Sequence, residues 1–194
     1  MTDWTQILKP LILPPCFHRP FVCEGFPDDS QVIVIGNNPA TPLKTDWWCF
    51  WDEATGFDHI SFLKCYLAER NGEKSKTREF LDRFRYNGFK SIDTNAFSNE
   101  GSGKLESTSI CNRDVLQALI CNMTCLKGIF AHGGKARKVL KTLQVPSHVI
   151  IHETYHLSYT GKKGRNYDTI KAEIDNFCAK LKSRGCDRTS HTDY

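Results

Sequence analysis

No apolar run in this sequence approaches the ~18–20 residues that a bilayer crossing needs. The first stretch, Met1 to Leu13, has neither the basic start nor the small-residue cleavage site of a secretory signal. A soluble, cytoplasmic protein with no membrane partner is therefore expected. The nine cysteines are an odd number and include no Cys-x-x-Cys pair. Zinc ribbons, iron–sulfur clips and small disulfide scaffolds need tighter spacing, so reduced and mostly buried thiols are expected. Gly133-Gly134-Lys135 lacks the earlier glycine and the following Ser/Thr of a phosphate loop, having Ile129 and Ala136 there instead. Internal repeats and domain-splitting linkers are absent too.

What is present is an ordinary globular composition over 194 residues, 40% hydrophobic and 25% charged. That length favours one domain, here residues 1–183 with an N-terminal arm over 1–30, followed by a flexible tail over 184–194. The formal charge of +4 is unevenly spread: nine Lys/Arg against Glu153 and Asp168 make Lys127 to Lys171 +7. A basic segment on a nearly balanced chain suggests a face that meets a polyanion, nucleic acid being the commonest.

Five prolines between Pro10 and Pro27 exclude continuous helix or a central strand from the arm. The run Val32-Ile33-Val34-Ile35 predicts a strand buried on both faces. Further strands are expected over Phe89–Thr94, Leu126–Ala131 and Val145–Ile151. Helices are expected at Trp4–Leu8, after Asp58 with Ile60, Leu63 and Leu67 inward, and at Ser75–Phe84, Asn112–Cys121, Lys135–Leu143 and Tyr167–Leu181. Alternation of strand and helix implies right-handed crossovers and a four-stranded parallel sheet. In such sheets ligands bind beyond the carboxyl ends of the strands. Asn38, Asn95 and His156 follow the first, second and fourth strands, so three polar side chains from distant sequence should meet at one edge.

His152-Glu153-Thr154-Tyr155-His156 matches the zinc-peptidase pattern, a metallopeptidase alternative that requires a helix to bring both imidazoles to one face. The motif instead follows a strand-like run and precedes poor helix sequence.

Gly36-Asn37-Asn38-Pro39 resembles the first motif of the uracil-DNA glycosylase superfamily, and His156-Leu157-Ser158 resembles its second. Thr94-Asn95 at a strand end is similar to the family's base-reading Asn. The ordered set spans roughly residues 20–180. The resemblance implies a three-layer α/β/α sandwich and a monofunctional DNA glycosylase with no cofactor or metal. Its partner would be DNA, acted on by a monomer without an obligate protein partner. Asn38 would orient the attacking water, and His156 would stabilise the departing base. Gly36, Asn37, Pro39, Ala40 and Asn95 would bind substrate, with Phe50 stacking on the base and Trp51 as its competitor.

The motif departs from its relatives in three places. Ala40 replaces the Tyr that excludes C5-substituted pyrimidines, which opens that edge to C5-modified bases within a pocket that Trp47, Trp48 and Trp51 could wall. Leu157 replaces Pro. The loop Tyr159-Thr160-Gly161-Lys162-Lys163-Gly164-Arg165 has no aliphatic wedge; Ser158, Tyr159, Lys162, Lys163 and Arg165 would contact DNA, either by wedging or by clamping phosphates. Uracil or a C5-modified pyrimidine would be excised, in repair or in antiviral defence against phages with modified DNA, which points to a prokaryotic or viral origin.

Overall fold

Val32–Gly36 presents only apolar side chains and glycine, and every one of these residues is buried. A strand of that kind is stable only with both of its faces covered. In the computed structural model, which describes residues 2–38, 44–98, 110–158 and 165–186, it occupies the middle of a five-stranded sheet. In chain order the strands are β1 (Phe21–Val22), β2 (Val32–Gly36), β3 (Ser91–Asn95), β4 (Gly128–His132) and β5 (Ile150–Thr154). Their spatial order is β1-β3-β2-β4-β5. β2 runs parallel to β3 and β4, and β4 parallel to β5, while β1 is antiparallel to β3. The chain is thus α/β with a mixed, mostly parallel sheet.

The edge strand β1 lies in what the prolines suggested was an irregular arm. Pro20 sits just outside it, and an edge strand of two residues tolerates a neighbouring proline. The last two parallel strands also end later than the apolar runs suggest, at His132 and Thr154 rather than Ala131 and Ile151. β5 is an edge strand: Glu153 is exposed, His152 is half-buried, and the hydroxyl of buried Thr154 donates to Glu173, so these polar residues can extend it.

The helices are α1 (Trp4–Leu8), α2 (His59–Ala68), α3 (Lys76–Tyr86), α4 (Arg113–Asn122), α5 (Gly134–Leu140) and α6 (Tyr167–Cys186). Asp3, Asp58 and Ser75 accept backbone N–H bonds at the starts of α1, α2 and α3. α5 is shorter and α6 longer than expected. α2 is rotated by one residue relative to the expected face: His59, Phe62 and Tyr66 are buried, whereas Ile60 is 68% exposed. His59, Phe62 and Tyr66 also recur at helical spacing, and the aromatic pair buries more surface than Leu and Ile would. Residues 187–194, which hold most of the expected tail, lie outside the described residues.

Side chains of β2 alternate between two apolar clusters. Ile33 and Ile35 join residues of α1, α2, α4 and α5; Val32 and Val34 join Phe80 and Phe84 of α3 with Ile174 and Phe177 of α6. The described cysteines are unpaired; Cys16, Cys23 and Cys178 are buried, but Cys49, Cys111, Cys121 and Cys125 are exposed, so the thiols are not mostly buried. Among the described residues no helix is long and apolar enough to cross a membrane.

Phe130 on β4 is fully buried and meets Phe84 and Phe177 edge-on at 5.4 Å each. Phe130→Ala should therefore destabilise the fold by about 3–5 kcal/mol, measured as a lower urea midpoint at unchanged slope.

Candidate functional site

Parallel register brings the strand ends level. Gly36 stands opposite Asn95, and His132 opposite Thr154. A methyl group on Gly36 would lie 2.7 Å from Asn95 Oδ1 and 3.1 Å from His132 Cε1, so only glycine admits both side chains there. β3 pairs Asp93 with Val34, which puts Asp93 and Asn95 on the sheet face packed by α3 and α6.

A cavity of about 110 Å³ opens at this edge, lined among others by Asn38, Asn95, His132, His156, Arg78 and Asp93. The three polar groups expected to converge from separate loops do share one site. For scale, an apolar cavity of about 150 Å³ holds a benzene, so this one, somewhat smaller, is on the order of one ring. Asn38 Nδ2 is buried and has no hydrogen-bond partner among the described residues. A buried, unsatisfied amide is costly, and it marks a donor awaiting a ligand or water.

His156 is held in one tautomer. The Ser158 backbone N–H donates to His156 Nδ1 at 3.3 Å, and the Ser158 hydroxyl lies 2.8 Å from the same nitrogen. Nδ1 is thereby an acceptor and the proton resides on Nε2. Burial, with a smaller contribution from the Arg165 charge, lowers its pKa below the ordinary imidazole value. The ring therefore stays neutral at pH 7 and offers Nε2–H as a donor. His132 meets it edge-on at 4.9 Å between centroids. Burial, then the neighbouring His156 and Arg165, push the His132 pKa down to about 3.

Other expected site residues lie elsewhere or do other work. Asn37 turns away from the cavity: its Oδ1 accepts from the N–H groups of Lys135 and Ala136 at 3.1 and 3.3 Å, capping α5 across the chain. Gly133, at φ +99°, leaves room for that amide. Phe50 is 4% exposed and packs on Phe57 and Phe62. Trp51 stacks on Trp47 and donates to Thr5 Oγ1. Both line a separate, larger cavity of about 670 Å³. Trp47 and Trp48 donate to the Phe21 and Ile12 carbonyls, so the indoles fasten the N-terminal segment and do not wall the small cavity.

Arg165 is buried beneath the His156 loop. It donates to the His156 and Tyr155 carbonyls at 3.0 and 3.4 Å and pairs with Glu173 at 3.3 Å, which makes it a positioning residue for that loop. Ser158 faces His156, as described above. Pro39, Ala40, Tyr159, Lys162 and Lys163 lie outside the described residues.

His152 and Glu153 belong to β5, and His152 stacks on Phe130 at 4.8 Å. The helical spacing that a zinc-peptidase site needs is therefore missing. Among the described residues no three His, Cys, Asp or Glu gather to hold a metal.

Sequence reading missed His132, Arg19, Tyr66, Arg70, Arg78 and Asp93, all of which line the small cavity. His132 obeys the strand-end rule that found Asn38, Asn95 and His156, and was available from it. Tyr66 and Arg78 reach the cavity through packing of α2 and α3, Arg70 from just past α2, Arg19 from the N-terminal segment and Asp93 from within β3, and none of these carries a local signature. No protein-family model matches the chain, and no curated protein sequence matches it.

Two outcomes follow. Asn37→Ala should cost about 1 kcal/mol of stability, the usual value of a helix cap, which a denaturant titration reads directly. His132 binds its proton in the unfolded chain near pH 6.5 but in the folded protein only near 3. Stability is therefore complete above pH 6.5 and falls as pH drops toward 3, by up to about 1.4 kcal/mol per pH unit from this group. Melting temperatures should decline over that window, and His132→Asn should flatten the slope.

Proposed function

We propose that this chain is a monofunctional DNA glycosylase of the uracil-DNA glycosylase type, with the three-layer α/β/α sandwich of that superfamily. The observation that carries the reading is the meeting of Asn38, Asn95 and His156 around one ring-sized cavity at the carboxyl edge of the sheet. A flipped pyrimidine would enter it, and Asn95 would present an acceptor and a donor to the base edge.

The N-glycosidic bond would break first, leaving an oxocarbenium-like sugar and an anionic base. The Nε2–H of neutral His156 would donate to the base O2 and stabilise the charge as it develops. Asn38 would orient a water whose oxygen bonds to the sugar C1′, and the released proton would neutralise the base. An amide is a weak base, but a cation formed beforehand needs only a positioned water. No lysine stands among the described lining residues, which favours an intact strand with an abasic site over strand cleavage.

The placement of His152 and Glu153 on a strand favours this reading over the metallopeptidase. It differs from a non-catalytic DNA-binding module in its product. DNAs carrying uracil or C5-modified pyrimidines should acquire alkali-labile sites on incubation with the protein. His156→Ala should lower the rate by about 10²–10³-fold, the usual cost of removing one donor from a developing anion, and Asn38→Ala should lower it comparably. Acidification should reduce activity with a midpoint below the ordinary imidazole value, because burial lowers the His156 pKa. Salt-dependent DNA binding with no alkali-labile product on any base would overturn the assignment.

A further inference from the structure

The wall of the small cavity away from His156 is cationic, with no use for that charge in the chemistry above. Arg19, Arg70 and Arg78 all stand over the Tyr66 ring, at 5.8, 5.6 and 5.6 Å from its centroid. Tyr66 is 3% exposed and is fixed by its hydroxyl, 3.2 Å from Ser75 Oγ. Arg78 is buried and pairs with Asp93 at 2.8 Å. Asp93 is the only carboxylate on the described lining, facing Arg19 and Arg78; Arg70, nearer the surface, donates from Nε to the Glu73 carbonyl. Glu69 also acts on Arg19, but its carboxylate accepts from the Lys44 N–H. Arg19 Nε is buried and without a hydrogen-bond partner among the described residues. Burial lowers the Arg19 pKa from its ordinary value; Asp93 offsets part of that, and the Arg78 charge adds to it.

Arg19 and Arg78, drawn together out of water, repel each other and lose hydration, and Asp93 and the aromatic face return only part of that cost. An anion would supply what is missing, and planar guanidinium forks suit phosphate or carboxylate oxygens. We infer that Arg19, Arg70 and Arg78 around Tyr66 form an anion subsite continuous with the Asn38–Asn95–His156 cavity, which takes a phosphate or carboxylate group of the substrate. This rests on the proposed function for the identity of the substrate, but the subsite itself can be tested without turnover. The anion has two sources, a phosphate flanking the flipped nucleotide or an acidic substituent on the base.

Inorganic phosphate is the first probe, titrated calorimetrically at constant ionic strength into the protein and into Arg19→Gln and Arg70→Gln. The protein should bind it, and Arg19→Gln should bind about tenfold more weakly, as expected for one lost charge-assisted hydrogen bond. Arg70→Gln, nearer the surface, serves if Arg19→Gln fails to fold, and Arg19→Lys should recover part of the affinity. Phosphate affinity equal in the protein and both Gln variants, or no binding at all, overturns the subsite. Phosphate binding without abasic product on any DNA would retain it and remove the glycosylase reading.

Two DNA arms then separate the sources. One replaces the phosphates flanking the target nucleotide with neutral methylphosphonates; the other compares bases bearing a carboxylate and a neutral group of similar size at C5. Whichever change loses the Arg19 dependence of binding identifies the anion. If neither does, the subsite does not serve the substrate and the inference is wrong.

Discussion

The site depends on a missing side chain. β2 delivers its chain end between β3 and β4, and the residue at that point, Gly36, is flanked by Asn95 and His132. Any Cβ there would collide with the Asn95 amide oxygen. The parallel register fixes which residues stand level, and the glycine lets two polar side chains close over the backbone. The next two asparagines then diverge. Asn37 is consumed in capping α5, which holds the loop against the scaffold, and Asn38 Nδ2 is left at the cavity without a partner among the described residues. Two adjacent residues of one type thus do different work, because one finds backbone donors and the other finds a cavity.

Desolvation sets opposite demands on the cavity's two walls. On the histidine side it favours the neutral ring, and the positive Arg165 reinforces that preference for both His132 and His156. On the arginine side the charge persists, since guanidinium is protonated at any working pH, so burial leaves it seeking a counter-charge. A cavity of one ring's size therefore offers neutral donors at one end and fixed positive charge at the other. That polarity discriminates between ligands: a purely neutral, apolar ring would leave the cationic wall unanswered.

Much of the fold was legible because its signals are local. The β-branched run at Val32–Ile35, the Asp58 cap and the apolar spacing within α4 each specify an element without reference to the rest of the chain. Asn38, Asn95 and His156 were legible for a topological reason, since parallel strands put their following loops on one edge. What escaped was set by packing. Val22 has no partner in its own neighbourhood and becomes a strand only because Asp93 and Thr94 leave an edge free. The aromatic run Trp47–Trp51 looks like a stacking platform by composition. Its indole N–H groups are instead satisfied by Phe21, Ile12 and Thr5, all in the N-terminal segment, and a satisfied indole in a packed cluster is scaffold. Tyr66, the aromatic that does face the cavity, was hidden by choosing the Ile60–Leu63–Leu67 stripe of α2 as its inner face.

Leu157 stands where the motif that this segment resembles has proline, and its surroundings show how a loop keeps its geometry without that ring. A proline there would fix φ by its ring; leucine leaves the torsion free. Leu157 is fully buried in the cluster formed with α3 and α6, which fixes the chain by packing. Just before it in the chain, Arg165 grips the Tyr155 and His156 carbonyls, and Glu173 of α6 receives both Arg165 and the Thr154 hydroxyl, the latter at 2.7 Å. The imidazole is then turned by the Ser158 N–H. Burial, a buried guanidinium and one backbone donor together replace a covalent restraint. The cost is a positive charge beneath the ring, and that same charge adds to burial in keeping His156 neutral. Scaffold and electrostatics of the loop are in this way one device: the residue that holds His156 in place also helps set its protonation state.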